Sequence, residues 1–594
     1  MAPTAVTATG LLCAALTGIT GVDAGIFHLG RTLSKLGTFE AEHLPAFLTN
    51  NPLPAGFPWG TRNSQTNYYY DYPYTGVTRN YEWTLSKEAC APDGVNITCL
   101  LANGQYPGPM IEANWGDQIQ VTVNNNMDEG TAIHWHGFLQ KNTQSLDGVP
   151  GVSQCPIAPG KSFTYTFTAE LYGTTWWHAH YSSQYASGLS GPIVVYGPNQ
   201  TMDYDIDLGP VQLSDHYHGY YRDLLDAFSV PLSQGPVYPS SQNVLINGKN
   251  AFDCSKTDLE CDSSAVQQYS TFNFTAGKTH RLRLINTSGD SVLKFSIDGH
   301  TMQIIANDFV PIQPYETEVV TLAVGQRSDV IVTANNSTNG AYWMRAFAPT
   351  GCSTNNGQNS AQGIIYYQDA DRTQTPTSSA VSGWDNTYCG NDPLSSTVPV
   401  MSMSPGDPSV SVDVTMEGHS NGTHGKWWMN NVTNVIDYNN PILLQSKLGN
   451  NTFTTSQNVY QYDSSTKSVR FVVINNSGNP HPMHMHGHNM FILAEGTGSW
   501  DGSIVNSGNP QRRDVQIVQA NGYLVVQWNQ DNPGAWPFHC HIAWHLSLGM
   551  AIEVLESPDL IKSQVNIPST VSQTCRDWWS YTDHDVVDQI DSGI

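Results

Sequence analysis

Short runs in which apolar and polar residues alternate recur along the chain, closed by Gly, Pro, Asn or Ser, and long helical periodicities are few. Successive side chains of a strand face opposite ways, so these runs predict strands that bury one face. One version ends in asparagine and returns three times: Val121-Thr122-Val123-Asn124-Asn125, Leu282-Arg283-Leu284-Ile285-Asn286-Thr287 and Val472-Val473-Ile474-Asn475-Asn476. The copies fall about 160 and about 190 residues apart, the size of a β-sandwich domain. The pattern predicts an all-β chain of three sandwiches, near residues 60–200, 201–375 and 376–594.

Histidines cluster at four places on this pattern. They read His134-Trp135-His136-Gly137, Trp177-His178-Ala179-His180, His481-Pro482-Met483-His484-Met485-His486-Gly487-His488 and His539-Cys540-His541-Ile542-Ala543-Trp544-His545. With 20 histidines in 594 residues, random placement gives about 0.7 His-x-His pairs. Six occur, five of them inside the four clusters. The sixth, His216-Tyr217-His218, stands alone in a polar stretch and reads as a surface or turn pair.

On a strand, a His-x-His pair offers both imidazoles to one metal cluster, because residues two apart share a face. In His539-Cys540-His541 the same alternation sends the thiolate to the other side, so one strand touches two metal centres. Imidazole suits copper, and thiolate beside imidazole with a weak axial partner is the ligand set of a blue-copper centre. Structural zinc takes a single four-ligand set, usually with several cysteines; here one Cys lies among many His. The ligands sit in the first and third sandwiches and none in the second, which places the shared cluster at an interface between domains one and three.

These four clusters resemble those of the multicopper oxidases, and within them the laccases of ascomycete type. The resemblance runs from the strand before His134 to the last residue. It implies three cupredoxin-like Greek-key β-sandwich domains and four copper ions. His481, Cys540 and His545 would bind the type 1 copper, His134 and His484 the type 2 copper, and His136, His178, His180, His486, His539 and His541 the type 3 pair. His488 matches no ligand position and reads as structural. The resemblance also implies disulfides Cys155–Cys575 and Cys352–Cys389, while Cys90 with Cys99 and Cys254 with Cys261 are close enough for local loops. With Cys13 and Cys540 set aside eight cysteines remain, which alone allow on the order of a hundred connectivities.

The implied reaction is one-electron oxidation of a phenol or aromatic amine, four times over, coupled to reduction of dioxygen to two waters. By the same resemblance Asp147 assists proton delivery at the oxygen site, Asp290 accepts the phenol proton, and electrons enter at His481. The axial position of the type 1 site, ten residues after the cysteine, holds Met550 where fungal laccases most often carry Leu or Phe. A thioether there stabilises the oxidised ion, so a low-potential oxidase is expected. The closing Asp591-Ser592-Gly593-Ile594 resembles the tail that ascomycete laccases insert into the channel to the oxygen site. A ferroxidase would carry Glu where Ala543 stands, a simple copper carrier has no use for eight further histidines, and an oxidase of bilirubin or ascorbate shares the axial Met.

Charge and targeting signals narrow the setting. Lys+Arg 25 against Asp+Glu 50, with a pI near 5.0, argues against a nucleic-acid partner. Residues 1–24, with the apolar Leu11-Leu12-Cys13-Ala14-Ala15-Leu16, resemble a secretory signal. Residues 25–59 read as a propeptide or mobile extension. No later stretch has the apolar run of a membrane span. Sequons at Asn96, Asn273, Asn421 and Asn431 also point outside the cell. A secreted, glycosylated monomer acting on pigment precursors, plant phenols or lignin fragments is expected.

Overall fold

In the computed structural model, which describes residues 34–50, 56–199, 201–262, 269–383, 385–420, 422–583 and 591–594, the alternating runs form strands arranged in six sheets. The sheets form three pairs along the chain: two four-stranded sheets over residues 78–196, then a six- and a five-stranded sheet over 206–367, and again over 410–556. The middle pair encloses one apolar core that takes Leu282, Val330 and Met302 from one sheet and Phe295, Met344 and Ile365 from the other. This is the sandwich architecture of cupredoxins, with inward apolar positions alternating with outward polar ones.

The three asparagine-ended runs take equivalent places. Gln118–Asn125, Thr279–Asn286 and Ser468–Asn475 each lie parallel to one neighbour, Thr78–Cys90, Ile206–His216 and Val410–Ser420 respectively, and antiparallel to another. Each closing asparagine does the same work. The Oδ1 atoms of Asn125, Asn286 and Asn475 accept the N–H two residues on, from Met127, Ser288 and Ser477. Each amide group donates to two carbonyls, those of Glu129 and Ile157, of Ser291 and Leu322, and of Asn479 and Gln519. A short side chain that mimics a backbone turn is what the position needs, which is why the signal repeats.

Four disulfides form: Cys90–Cys99, Cys155–Cys575, Cys254–Cys261 and Cys352–Cys389. Cys155–Cys575 ties the helix Ser569–Thr582, after the last sheet, to the first sandwich. Within the 25–59 stretch, residues 34–50 are bonded to the body: Leu44 N–H donates to Asp207 O (2.9 Å) and Leu48 N–H to Asn114 Oδ1 (2.8 Å). The signal segment 1–24 and the sequon residue Asn421 lie outside the described residues. One expectation is corrected here. His216 closes the strand Ile206–His216 and is 3% exposed, so His216-Tyr217-His218 is not a surface pair; the polar sequence around it misleads because its polar partners are buried with it.

A buried ion network joins the three sandwiches behind the histidine clusters. Both Arg327 amino groups donate to Asp514, at 2.6 and 2.8 Å, and its Nε–H to Thr174 O of the first sandwich (3.2 Å). Arg513 donates to both oxygens of Asp308 (3.0 and 2.9 Å), which also faces Arg327 at 3.4 Å. The two guanidiniums hold the Asp308 carboxyl below its ordinary pKa against the cost of its burial. Removing one member strands the others in a dry interior, at about 3–5 kcal/mol. Arg327→Met should therefore lower the calorimetric unfolding midpoint by several degrees. Lys278→Met, which breaks a pair 52% and 39% exposed, should leave it within about a degree.

Candidate metal centres

Strand register brings the clusters together. His134 lies opposite His178 and Trp135 opposite Trp177 in the first sandwich; His484 lies opposite His539 and Met483 opposite Cys540 in the third. The ladders continue one step past the strands through N–H donation from His136 to Trp176 O (3.1 Å), His180 to Ala132 O (2.9 Å) and His541 to Pro482 O (2.7 Å). Alternation then sends Trp135 and Trp177 into the first core, against Trp83, and the histidines the other way.

Eight buried imidazoles meet in one region. His136, His178 and His541 bring ligand nitrogens within 4.8 Å of one another, and so do His180, His486 and His539; His134 and His484 complete a third group with His136. Six of the eight rings are aimed from behind. The Nδ1–H groups of His134, His178, His484 and His539 donate to the carbonyls of Asp147, Ala179, Asp514 and Cys540 at 2.8 to 3.0 Å. Nδ1–H of His486 donates to Asp147 Oδ2 (2.8 Å), whereas His136 is turned round, with Nε2–H on Asp514 Oδ1 (2.9 Å). Such outer contacts fix tautomer and direction in metal-bound histidines.

Other ring nitrogens of the clusters have no protein partner. His134 Nε2, His178 Nε2, both His180 nitrogens, His484 Nε2 and His541 Nδ1 are buried without a hydrogen bond among the described residues. The nitrogens of His486 and His539 face each other at 3.0 Å, and those of His136 and His541 at 3.2 Å. Burial lowers the pKa of His136, His178, His180, His484, His486 and His541, and that of His539 to about 4. Neutral imidazoles with converging lone pairs are a donor set for cations, and the residues present fit copper. Gly325 lets this packing close: a Cβ there would lie 2.9 Å from His541 and 3.1 Å from His136.

The second centre lies on the other face of the same strand. Cys540 Sγ is 3.7 Å from both His481 Nδ1 and His545 Nδ1, which are 3.1 Å apart, and all three residues are buried. Cys540 is the free cysteine among the described residues. Burial pushes its thiol well above the ordinary cysteine pKa, so the thiolate belongs to the metal-bound state. Met550 is fully buried and bracketed by the site: its carbonyl accepts from Cys540 N–H and its N–H donates to His545 O, each at 3.1 Å. Trp427 covers both imidazoles, 4.9 and 4.7 Å from their ring centres.

The carboxylates take distinct places. Asp147 ends the turn Gln144–Leu146 and bonds to both His134 and His486, with Oδ1 left without a hydrogen bond in the interior. Gly148 follows at φ +84, where a Cβ would lie 1.8 Å from Ile133 O; only glycine lets Asp147 come this close. Asp290 is buried beside Asp215, whose carboxylate accepts the N–H groups of Gly289, Asp290 and Ser291. Burial, with that neighbour, raises the Asp290 carboxyl to about 7. Its Oδ1 accepts from Tyr238 Oη–H (2.9 Å), and the same hydroxyl lies 3.1 Å from His545 Nε2.

That chain ends on His545 and not on His481, the histidine expected at the electron entry. His481 is fully buried and its Nε2 is taken by Ser477 Oγ (2.8 Å), whereas His545 is 4% exposed and faces Tyr238 and Asp290. Sequence reading missed Tyr238, Asp215 and Trp427; each lies outside the four clusters, and Asp215 adjoins the His216-Tyr217-His218 pair that was read as a surface or turn pair. His488 keeps its structural reading: Nδ1–H donates to His486 O (3.1 Å) and Nε2 meets Glu556 (3.0 Å). The C-terminal tail is buried. Asp591 accepts from Ser182, Ser592 N–H and Oγ–H donate to Ser547 O and Leu546 O (both 2.7 Å), and Ile594 is fully enclosed.

Three multicopper oxidase family models match the chain in order, over residues 84–200, 207–370 and 417–560. Among curated proteins the chain is 39% identical to Laccase-2 of Botryotinia fuckeliana, over 90% of this chain and 92% of that one. It is 41% identical to oxidoreductase OpS5 of Beauveria bassiana, over 90% and 91%. The crystal structure of laccase from Botrytis aclada superposes with a TM-score of 0.82 at 38% identity, covering 90% of this chain and 98% of that one. The chain belongs to the multicopper oxidases and is a laccase-like copper oxidoreductase that acts on phenols with oxygen, through a complement of one type 1, one type 2 and two type 3 coppers.

Proposed function

We propose that the eight-histidine region is the oxygen site, with His134 and His484 on the type 2 copper and His136, His178, His180, His486, His539 and His541 on the type 3 pair. His481, Cys540 and His545 would hold the type 1 copper, with Met550 packed beside it. The observation that carries this reading is the grouping of the eight imidazoles into three triads, two of them linked through His136, each mixing first- and third-sandwich residues. Bound there, copper would supply one-electron chemistry at the cysteine centre and reduction of dioxygen to water at the histidine centre. Domains 60–200 and 376–594 supply the ligands, and 201–375 supplies the wall that carries Asp290 and Tyr238. The disulfides and sequons support a secreted glycoprotein, and we read it as a monomer.

The chain's own residues organise the proton traffic. A phenol oxygen placed between Asp290 and His545 gives its proton to the carboxylate as its electron leaves toward the imidazole edge. Tyr238 now holds that place with its own hydroxyl, so it must swing aside for a substrate. At the other centre, Asp147 anchors two histidines and keeps one oxygen free to take and pass protons. The tail Asp591–Ile594 closes the space beside Ser182, two residues from His180, as a plug on the oxygen site.

Oxygen uptake with a dimethoxyphenol tests the substrate reading. Asp290 accepts a proton only when ionised, so its contribution to kcat/KM grows as pH rises toward about 7 and levels off above. Asp290→Asn should lose about 100-fold at pH 7, with the gap closing as pH falls, while Tyr238→Phe lowers KM for the phenol. Wild-type phenol rates in Asp290→Asn at pH 7 overturn the reading. For the axial residue, Met550→Leu should raise the blue-site potential by about 59 mV or more, tenfold in a one-electron equilibrium, and an unmoved redox titration makes Met550 a packing residue. Deleting Asp591–Ile594 should change turnover and leave the blue absorbance intact; unchanged kinetics refute the plug.

A further inference from the structure

Away from both copper centres, Asp93, His216 and His218 bring a carboxylate oxygen and two imidazole nitrogens within 4.8 Å of one another. Asp93 lies in the hairpin between the strands Thr78–Cys90 and Ile97–Ala102, which Cys90–Cys99 clamps, and the histidines lie at the end of Ile206–His216 in the second sandwich. His218 Nε2–H donates to Asp93 Oδ2 (2.9 Å). His216 Nε2 stands 3.8 Å from Asp93 Oδ1, is buried, and has no hydrogen-bond partner among the described residues. An imidazole left so costs about 1–3 kcal/mol, and two histidines on one buried carboxylate are more than a structural hydrogen bond requires.

We propose that this triad binds a fifth metal ion, zinc(II), which ties the first sandwich to the second. The donor set is two imidazoles and a carboxylate, three protein ligands that leave one position for water. Edges of 2.9 and 3.8 Å bracket the ligand separation of about 3.3 Å in tetrahedral zinc, so small side-chain rotations seat the ion. The carboxylate is already oriented: Asn243 Nδ2–H donates to Oδ2 (3.0 Å) and Val95 N–H to Oδ1 (3.2 Å). Tyr106 Oη lies 3.5 Å from His216 Nδ1, where it accepts that N–H once Nε2 turns to metal. Gln242 Oε1 accepts the His218 N–H (2.8 Å) and Phe252 packs on its ring. His218 is 6% exposed and forms the side from which an ion enters.

The site stands apart from the oxidase reading, and its test separates the two. Enzyme loaded with four coppers is equilibrated with excess Zn2+, desalted, and its zinc and copper measured by mass spectrometry beside its blue absorbance. One retained zinc per molecule is expected, with a higher unfolding midpoint in Zn2+ than in a zinc chelator. His216→Gln and Asp93→Asn should bind zinc at least about 100-fold more weakly, with copper content and blue absorbance unchanged. His216→Gln breaks no short contact, so it decides alone if Asp93→Asn fails to fold. Zinc absent from the wild type, zinc held equally by His216→Gln, or a fifth copper in its place overturns the proposal.

Discussion

Everything in this fold answers to one cost: imidazole nitrogens buried with nothing from the protein to bond. Six such nitrogens lie buried among the clusters where the first and third sandwiches meet, and each carries a penalty of about 1–3 kcal/mol until it gains a partner. Two facing pairs at 3.0 and 3.2 Å would otherwise set lone pair against lone pair. The outer hydrogen bonds, to Asp147, Asp514 and four backbone carbonyls, are what stop the rings from rotating to escape. The protein therefore keeps an arrangement that is unfavourable by itself and favourable with metal, and the rigidity needed comes from strands, not loops.

Much of this was legible in the chain because it follows from a period of two. Alternation put His134 and His136 on one side and Trp135 on the other, and the repeated asparagine marked the same turn in each sandwich. What alternation could not give was orientation within a ring or contact across the chain. His545 and His481 are equivalent as candidate ligands in sequence; only the hydrogen bonds of their outer nitrogens, one to Tyr238 and one to Ser477, separate the edge that faces Asp290 and Tyr238 from the sealed one. Asp290 was found by its place after Asn286, but Tyr238 sits in a segment with no period at all. His216 was misjudged because polarity of neighbours predicts exposure only when those neighbours do not bury one another.

The middle sandwich contributes none of the histidines of the four clusters, yet its charges hold the domains that carry them in place. Arg327 reaches Asp514, whose carbonyl and carboxylate orient His484 and His136, and also the carbonyl of Thr174 in the strand that leads to His178. One guanidinium thus touches the supports of histidines from both ends of the chain. A lysine could not do this, since a point charge on a flexible stem lacks the planar fork that grips two oxygens at once. Glycine at 137 makes room: a Cβ there would lie 2.6 Å from the Arg327 amino group and 2.7 Å from Asp514.

The strand Gly534–Cys540 carries the strongest constraint on change. Its pairing sets Cys540 opposite Met483 and His539 opposite His484, so a slip of one residue would present the thiol to the oxygen site and imidazoles to the blue site. Substitutions that shrink or enlarge the core cost stability but leave this parity alone. An insertion or deletion in the strand, even one that preserves every ligand, reverses it. With copper in both centres, electrons would pass between them through the two covalent neighbours of one cysteine, His539 and His541, a path that depends on the register of this strand.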